Sequence, residues 1–193
     1  MKYLVYLQPP QEVLEKIEAY RKDIFPNIRE TPRHATHCTV MSSNFRQEDE
    51  ARIIRSLYEI NQEPIRTSTT GLEIFDEQSL VLRLALTNEL KGLHFRVVDV
   101  LREFIQWTDL PIGPLLAYQH DPERERAHYN YGSVFHGLFY SPHVSVATVD
   151  GSFRVETPMA LSGINFQTSI LHLSRKDKIW QPIAEIPLAR RML

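Results

Sequence analysis

The stretch SLVLRLALTNELKGLHFRVVDVLREF, residues 79–104, changes its hydrophobic period once. Up to Thr87 apolar residues crowd together in a β-favouring run, so Leu80–Thr87 reads as a strand. Asn88 is the predicted helix cap, and from Glu89 to about Trp107 the positions Leu90, Leu93, Val97, Val100, Leu101 and Phe104 form an i, i+3, i+4, i+7 series. A strand feeding directly into an amphipathic helix sets the theme for the rest of the chain. Upstream, Ile65–Phe75 is a second strand, and the acidic turn Asp76-Glu77-Gln78-Ser79 between the two predicts a hairpin.

Working outward, Lys2–Leu7 reads as a strand stopped by Pro9 and Pro10, and Gln11–Phe25 as a helix ended by Pro26. A loop containing Pro32 leads to a short β-favouring run, His37–Met41, and Glu48–Ile60 is a second amphipathic helix. Strands are expected at His143–Val149, about Gln167–Leu173 and near Trp180–Ile186. Between Leu110 and Tyr140 the periodicity fails around Pro111, Pro114 and Pro122. This segment is expected to be an extended loop or insertion, of a length that is commonly functional. Helices alternating with antiparallel hairpins predict an α+β fold rather than a parallel sheet.

The chain has 193 residues, enough for one well-buried domain, so residues 1–193 are expected to form a single domain. A formal net charge of −2 argues against wrapping duplex DNA, which requires a strongly basic face, but allows a local phosphate pocket. Cys38 is the one cysteine, so no intrachain disulfide is available. The N-terminal apolar run is too short for a signal segment or a membrane span. A cytoplasmic protein without a membrane partner is the expectation.

Two tetrapeptides carry the chemistry: His37-Cys38-Thr39-Val40 and His143-Val144-Ser145-Val146. On a strand, alternation sends His37 and Thr39 to one face and Cys38 and Val40 to the other, and likewise His143 and Ser145 over Val144 and Val146. Each motif offers an imidazole that moves a proton and a hydroxyl that donates to a phosphoryl oxygen. A hydroxyl two residues after a histidine also follows His34 and His172, but there the fourth residue is His37 and Arg175, so the apolar backing is missing.

In this context the sequence resembles the 2H phosphoesterase superfamily, in its 2′–5′ RNA ligase and cyclic phosphodiesterase branch. The resemblance rests on both motifs, the opening MKYLVYLQPP, the stretch 79–104, the SPHVSVA around the second motif and the closing SILHLSRKDKIWQPIAEIPL. It covers nearly the whole chain outside about 110–140. Two departures stand out: Met41-Ser42-Ser43-Asn44 follows the first motif where a longer apolar strand and a glycine are usual, and the segment before the second motif is long.

The resemblance implies two pseudo-twofold-related lobes of antiparallel sheet, with outer helices, around a central cleft. It implies His37 and His143 as the catalytic acid and base, and Thr39 and Ser145 as phosphate-binding groups. It further implies no metal and no cofactor, and as partner a small nucleotide or RNA terminus carrying a cyclic phosphate or a 2′–5′ linkage. The alternatives are ligation in the reverse direction and a non-catalytic RNA-end or nucleotide binder on the same fold.

Other residues have plainer readings. Cys38 is expected in the core rather than as a nucleophile, and His94 is expected to be structural. His120, His128 and His136 match no compact zinc spacing and are expected as surface histidines. Tyr118, Tyr129, Tyr131 and Phe135 either stack a base or lid the cleft, or anchor the long segment. Arg175, Lys176 and Lys178 form a basic hairpin tip, expected to be solvated, with a phosphate contact to an RNA end as the alternative.

Overall fold

A computed structural model of the chain describes residues 1–24, 36–75, 78–110, 112–149 and 153–189. Its first part runs β1 (Lys2–Leu7), α1 (Gln11–Ile24), β2 (Cys38–Asn44), α2 (Glu50–Tyr58), β3 (Ile65–Phe75), β4 (Ser79–Leu84) and α3 (Asn88–Leu101). The remainder is α4 (Ile112–Ala117), α5 (Pro122–Tyr131), β5 (His143–Thr148), β6 (Asn165–Thr168), β7 (Ile170–Lys176) and β8 (Trp180–Pro187).

The strands form one eight-stranded sheet in the order β6-β3-β4-β5-β2-β1-β7-β8, antiparallel throughout its described pairings. Read outward from the centre, β5-β4-β3-β6 mirrors β2-β1-β7-β8. The two halves meet at the bridge Cys38↔Val144 between β2 and β5. This is the expected pair of lobes, and each inner strand begins at its own motif.

Alternation divides the sheet into two faces. Tyr3, Val5 and Leu7 of β1, Leu80 and Leu82 of β4, Val144 and Val146 of β5, and Leu171 and Leu173 of β7 join one hydrophobic core. The helices pack from the same chemistry, α3 against β2 and β3, α1 against β5, and α2 against α3 and β8. Leu90, Leu93, Val97 and Leu101 of α3 are completely buried, each worth roughly 2 kcal/mol of transfer free energy. The opposite face carries Lys2 and Tyr6 of β1 and the polar members of both motifs.

Several sequence expectations shift. The helix cap is Thr87, not Asn88: Thr87 is extended (φ −71°, ψ 161°), and its hydroxyl accepts from the Leu90 amide at 3.3 Å. Segment 110–140 is not an extended loop, since it contains α4 and α5. Asp121 caps α5 by accepting from the amides of Glu123 and Arg124 at 3.1 Å each, Pro122 starts the helix, and Gly132 ends it at φ +77°. The charged turns of α5 hid it, because almost nothing on the helix reads as an apolar stripe. Pro26, Pro32, His34 and the turn residues Asp76 and Glu77 lie outside the described residues.

Candidate active site

The bridge between Cys38 and Val144 decides what the two motifs can do together. In antiparallel pairing, each step forward on one strand is a step back on the other. Position 37 therefore stands opposite 145, and 39 opposite 143. Both motif interiors are turned to the core: Cys38 is 1% exposed and Val144 0%. His37, Thr39, His143 and Ser145 consequently leave the sheet on its other face, around one seam, with each histidine position across from the opposite motif's hydroxyl position. His37, Thr39 and His143 are half-buried and Ser145 is exposed.

His143 is oriented by its own strand entry. Its Nδ1 lies 2.8 Å from the Ser141 carbonyl, and a carbonyl only accepts, so Nδ1 carries the proton and Nε2 is the atom that takes up or delivers a second one. The ring rests on Phe75, with centroids 4.8 Å apart. Arg83 stands opposite His143 on β4; its guanidinium donates to the Ser141 hydroxyl and pairs with Glu73 at 3.3 Å.

His37 packs against Tyr6, ring centroids 5.1 Å apart. The other neighbour of Tyr6 is His172, stacked at 5.0 Å with planes 16° apart. The Nδ1 of His172 is 3.7 Å from Glu185. Burial pushes the His172 pKa below the ordinary value, with Glu185 opposing. Strand pairing sets Glu185, His172, Tyr6 and Thr39 in one row across β8, β7, β1 and β2. Tyr6, His172, Phe75 and Arg83 are the neighbours that sequence reading missed. The His-x-Ser pattern at His172 is the one available signal, and Arg175 in its fourth position breaks the apolar backing that marks the other two motifs.

A cavity of about 410 Å³ opens on the site. Its walls include Thr39, His143, Ser42 and Asn44 from the sheet, with Phe75 and Phe135 beside them. His37 and Ser145 are not among its described lining residues. The segment before the second motif thus builds a wall of the cavity. Phe135 faces Phe75 at 5.7 Å and Tyr118 at 5.7 Å. Arg124 sits 4.3 Å from the Tyr118 ring centroid and 4.4 Å from that of Phe139, tying α5 to the turn that follows it. Tyr118 therefore anchors, Phe135 both anchors and lines, and Tyr129 is 61% exposed.

His128 and His136, expected on the surface, are buried at 6% and 5% exposure. His136 Nδ1 lies 2.8 Å from the Tyr131 carbonyl, and burial lowers its pKa to about 4. His94 is structural, as expected. The Gly137 amide donates to its Nε2 at 2.9 Å, so its Nδ1 donates to the Val40 carbonyl at 2.7 Å, and its ring stacks on Tyr140 at 4.0 Å. Burial lowers its pKa to about 4 as well. Cys38 lies behind the seam with its thiol pushed up to about 11 by burial, which makes it a poor nucleophile. Arg175 is not solvated but ion-paired to Glu50 at 2.5 Å. Among the described residues no group of three or more His, Cys, Asp or Glu is placed to hold a metal ion, and no helix is long and apolar enough to cross a membrane.

Neither a family model nor a curated protein matches the sequence. Solved structures do match. TT0787 of Thermus thermophilus is 16% identical with a TM-score of 0.65, over 97% of this chain and 98% of that one. LigT of E. coli complexed with phosphate is 13% identical with a TM-score of 0.62, over 97% of each chain. In its complex with 3′-AMP it gives 10% and 0.64, over 97% of this chain and 98% of that one. Usb1 of Kluyveromyces marxianus is 11% identical with a TM-score of 0.53, over 97% and 98%. At these identities the likeness is one of fold.

Proposed function

We propose that this chain, whose fold is that of the 2H phosphoesterases, is a metal-independent phosphoesterase in which His37 and His143 act as general acid and base. The reacting group would be a 2′,3′-cyclic phosphate or a 2′–5′ phosphodiester of RNA or a nucleotide. The observation that supports this most directly is the Cys38↔Val144 bridge, which turns two sequence-distant motifs toward one another on one polar face. Solved complexes of LigT with phosphate and with 3′-AMP favour a phosphate ester as ligand.

In this reading the phosphate sits over the seam. One neutral imidazole removes a proton from water or a ribose hydroxyl, and the other, protonated, delivers one to the leaving oxygen. His143 exchanges its proton through Nε2, since Nδ1 is committed to Ser141. Thr39 and Ser145 donate to the non-bridging oxygens as charge builds on them. The two histidines exchange roles when the reaction runs backwards, so ligation uses the same groups.

The test is turnover of a 2′,3′-cyclic mononucleotide by the native chain in excess chelator, with products separated. Loss of one proton-transfer group costs about 10²–10⁴-fold, so His37→Ala and His143→Ala should each lose at least about 10²-fold in kcat. Near-native activity in either variant, with the fold intact by circular dichroism, would sink the assignment.

A further inference from the structure

On the polar face of the sheet a second row runs parallel to the catalytic one. Asn44 of β2 pairs with Lys2 of β1, which pairs with Lys176 of β7. Four residues along β1 separate Lys2 from Tyr6, the partner of Thr39. At roughly 3.3 Å per residue the two rows lie about 13 Å apart. One cavity connects them: Thr39 and His143 line it at the catalytic row, then Ser42, and Asn44 with Lys2 at the second row.

The second row brings two ammonium groups together on adjacent strands. Both lysines are exposed, and like charges placed directly opposite in a sheet repel, so an anion bound between them would relieve that repulsion. Among the described residues no carboxylate comes within ion-pairing distance of either lysine. Lys176 Nζ lies 6.0 Å from the Trp180 ring centroid. Crowding by protein, and then by Lys176, holds Lys2 below the ordinary lysine pKa. The carboxyl groups nearest in chain or cavity are Asp177, next to Lys176, and Asp109. The side-chain amide of Asn44 donates to the Asp109 backbone carbonyl at 2.6 Å.

We infer that Lys2 and Lys176 form a second anion site at the edge of the same cleft, binding a phosphate about 16 Å from the one held between the motifs, which is about 13 Å along the strands and two strand spacings across them. The preferred substrate is then an oligonucleotide end, with its terminal phosphate over the seam and an upstream backbone phosphate at the lysines. The inference rests on the phosphoesterase reading for the position of the first phosphate. A polyphosphate chain on a single nucleotide offers the same chemistry, so the experiment carries an arm for each.

Three substrates ending in the same 2′,3′-cyclic phosphate are compared: a mononucleoside, its 5′-triphosphate and a trinucleotide. The native chain should turn over the trinucleotide with a kcat/KM at least about tenfold above the mononucleoside, with the advantage in KM and weakened by salt. In Lys2→Gln/Lys176→Gln that ratio should collapse toward one, and Lys2→Arg/Lys176→Arg should restore it. An equal advantage for the triphosphate supports the site and assigns the polyphosphate as its source. A native ratio near one, or a ratio kept in the Gln variant, overturns the inference. Should no substrate be turned over, the phosphoesterase reading has failed. Titration of fluorescently labelled trinucleotide against labelled mononucleotide then decides the anion site alone, and equal affinity in native and Gln proteins rejects it.

Discussion

Acidification should unfold this protein through two histidines that take no part in the proposed chemistry. His94 and His136 are buried, and burial sets both folded-state pKa values at about 4. In the unfolded chain each titrates near 6.5. The folded state therefore resists a proton that the unfolded state accepts. Their contribution is intact above about pH 6.5 and is lost progressively as pH falls toward about 4, below which it no longer changes. Between pH 7.5 and 4.5 a shift of this size removes about 2.5 kcal/mol per histidine. The rings lie 5.6 Å apart and each would repel the other's charge, so the two losses do not simply add. Urea titrations at pH 7.5, 6.0 and 4.5 measure this, beside His94→Gln, which keeps a donor and an acceptor for Val40 and Gly137 without titrating. The variant should start less stable and lose about 2 kcal/mol less than the native protein over that range. Parallel pH slopes for the two proteins would refute the reasoning.

Three further outcomes follow from the geometry. Thr39→Val and Ser145→Ala should lower kcat on a cyclic phosphate by about 10²-fold each with KM little changed, because their hydroxyls would act on developing charge; initial rates across substrate concentrations check this. Tyr6→Leu should cost about 10- to 100-fold in kcat by loosening His37, whereas Tyr6→Phe and His172→Phe, which keep the stacked rings, should stay within a few-fold and keep the native pH–rate profile. Gly137→Ala should destabilise by about 2–3 kcal/mol in chemical denaturation, since residue 137 adopts φ +67° and an added Cβ would lie 2.6 Å from the Tyr131 ring.

The fold was legible where hydrophobic period and packing agree. The 79–104 stretch has one change of period, and its helix buries Leu90, Leu93, Val97 and Leu101 as the pattern nominates, but it stops at Leu101 instead of near Trp107, leaving Val100 half-buried and Phe104 on the turn that follows. Both motifs announce two faces through their apolar second and fourth positions, and those four residues are buried. Segment 112–131 was illegible because α5, PERERAHYNY, holds its place through Arg124 against aromatic rings rather than through an apolar stripe. His128 and His136 were misplaced for a related reason. A histidine in a polar stretch reads as surface, but the Tyr131 carbonyl satisfies the Nδ1 of His136 and lets the ring go inside. Tyr6 and His172 escaped notice because their relation to His37 is cross-strand, and register is invisible until the strand order is known.

That order also explains why two tetrapeptides more than a hundred residues apart read alike. A sheet that mirrors itself about the β2/β5 seam presents the start of each inner strand to the other in opposite directions. A histidine then a hydroxyl on one strand meets a hydroxyl then a histidine on its neighbour. The same pattern, written twice, therefore sets a histidine position across from a hydroxyl position at both ends of the seam, instead of histidine across from histidine. The requirement falls as much on Cys38 and Val144 as on the polar residues. A charged side chain at either bridging position would have to be desolvated in the core or carry the strand outward, and a one-residue slip would send every polar group to the wrong face. The apolar backing is thus part of the chemistry, because it holds in register the groups proposed to transfer the protons.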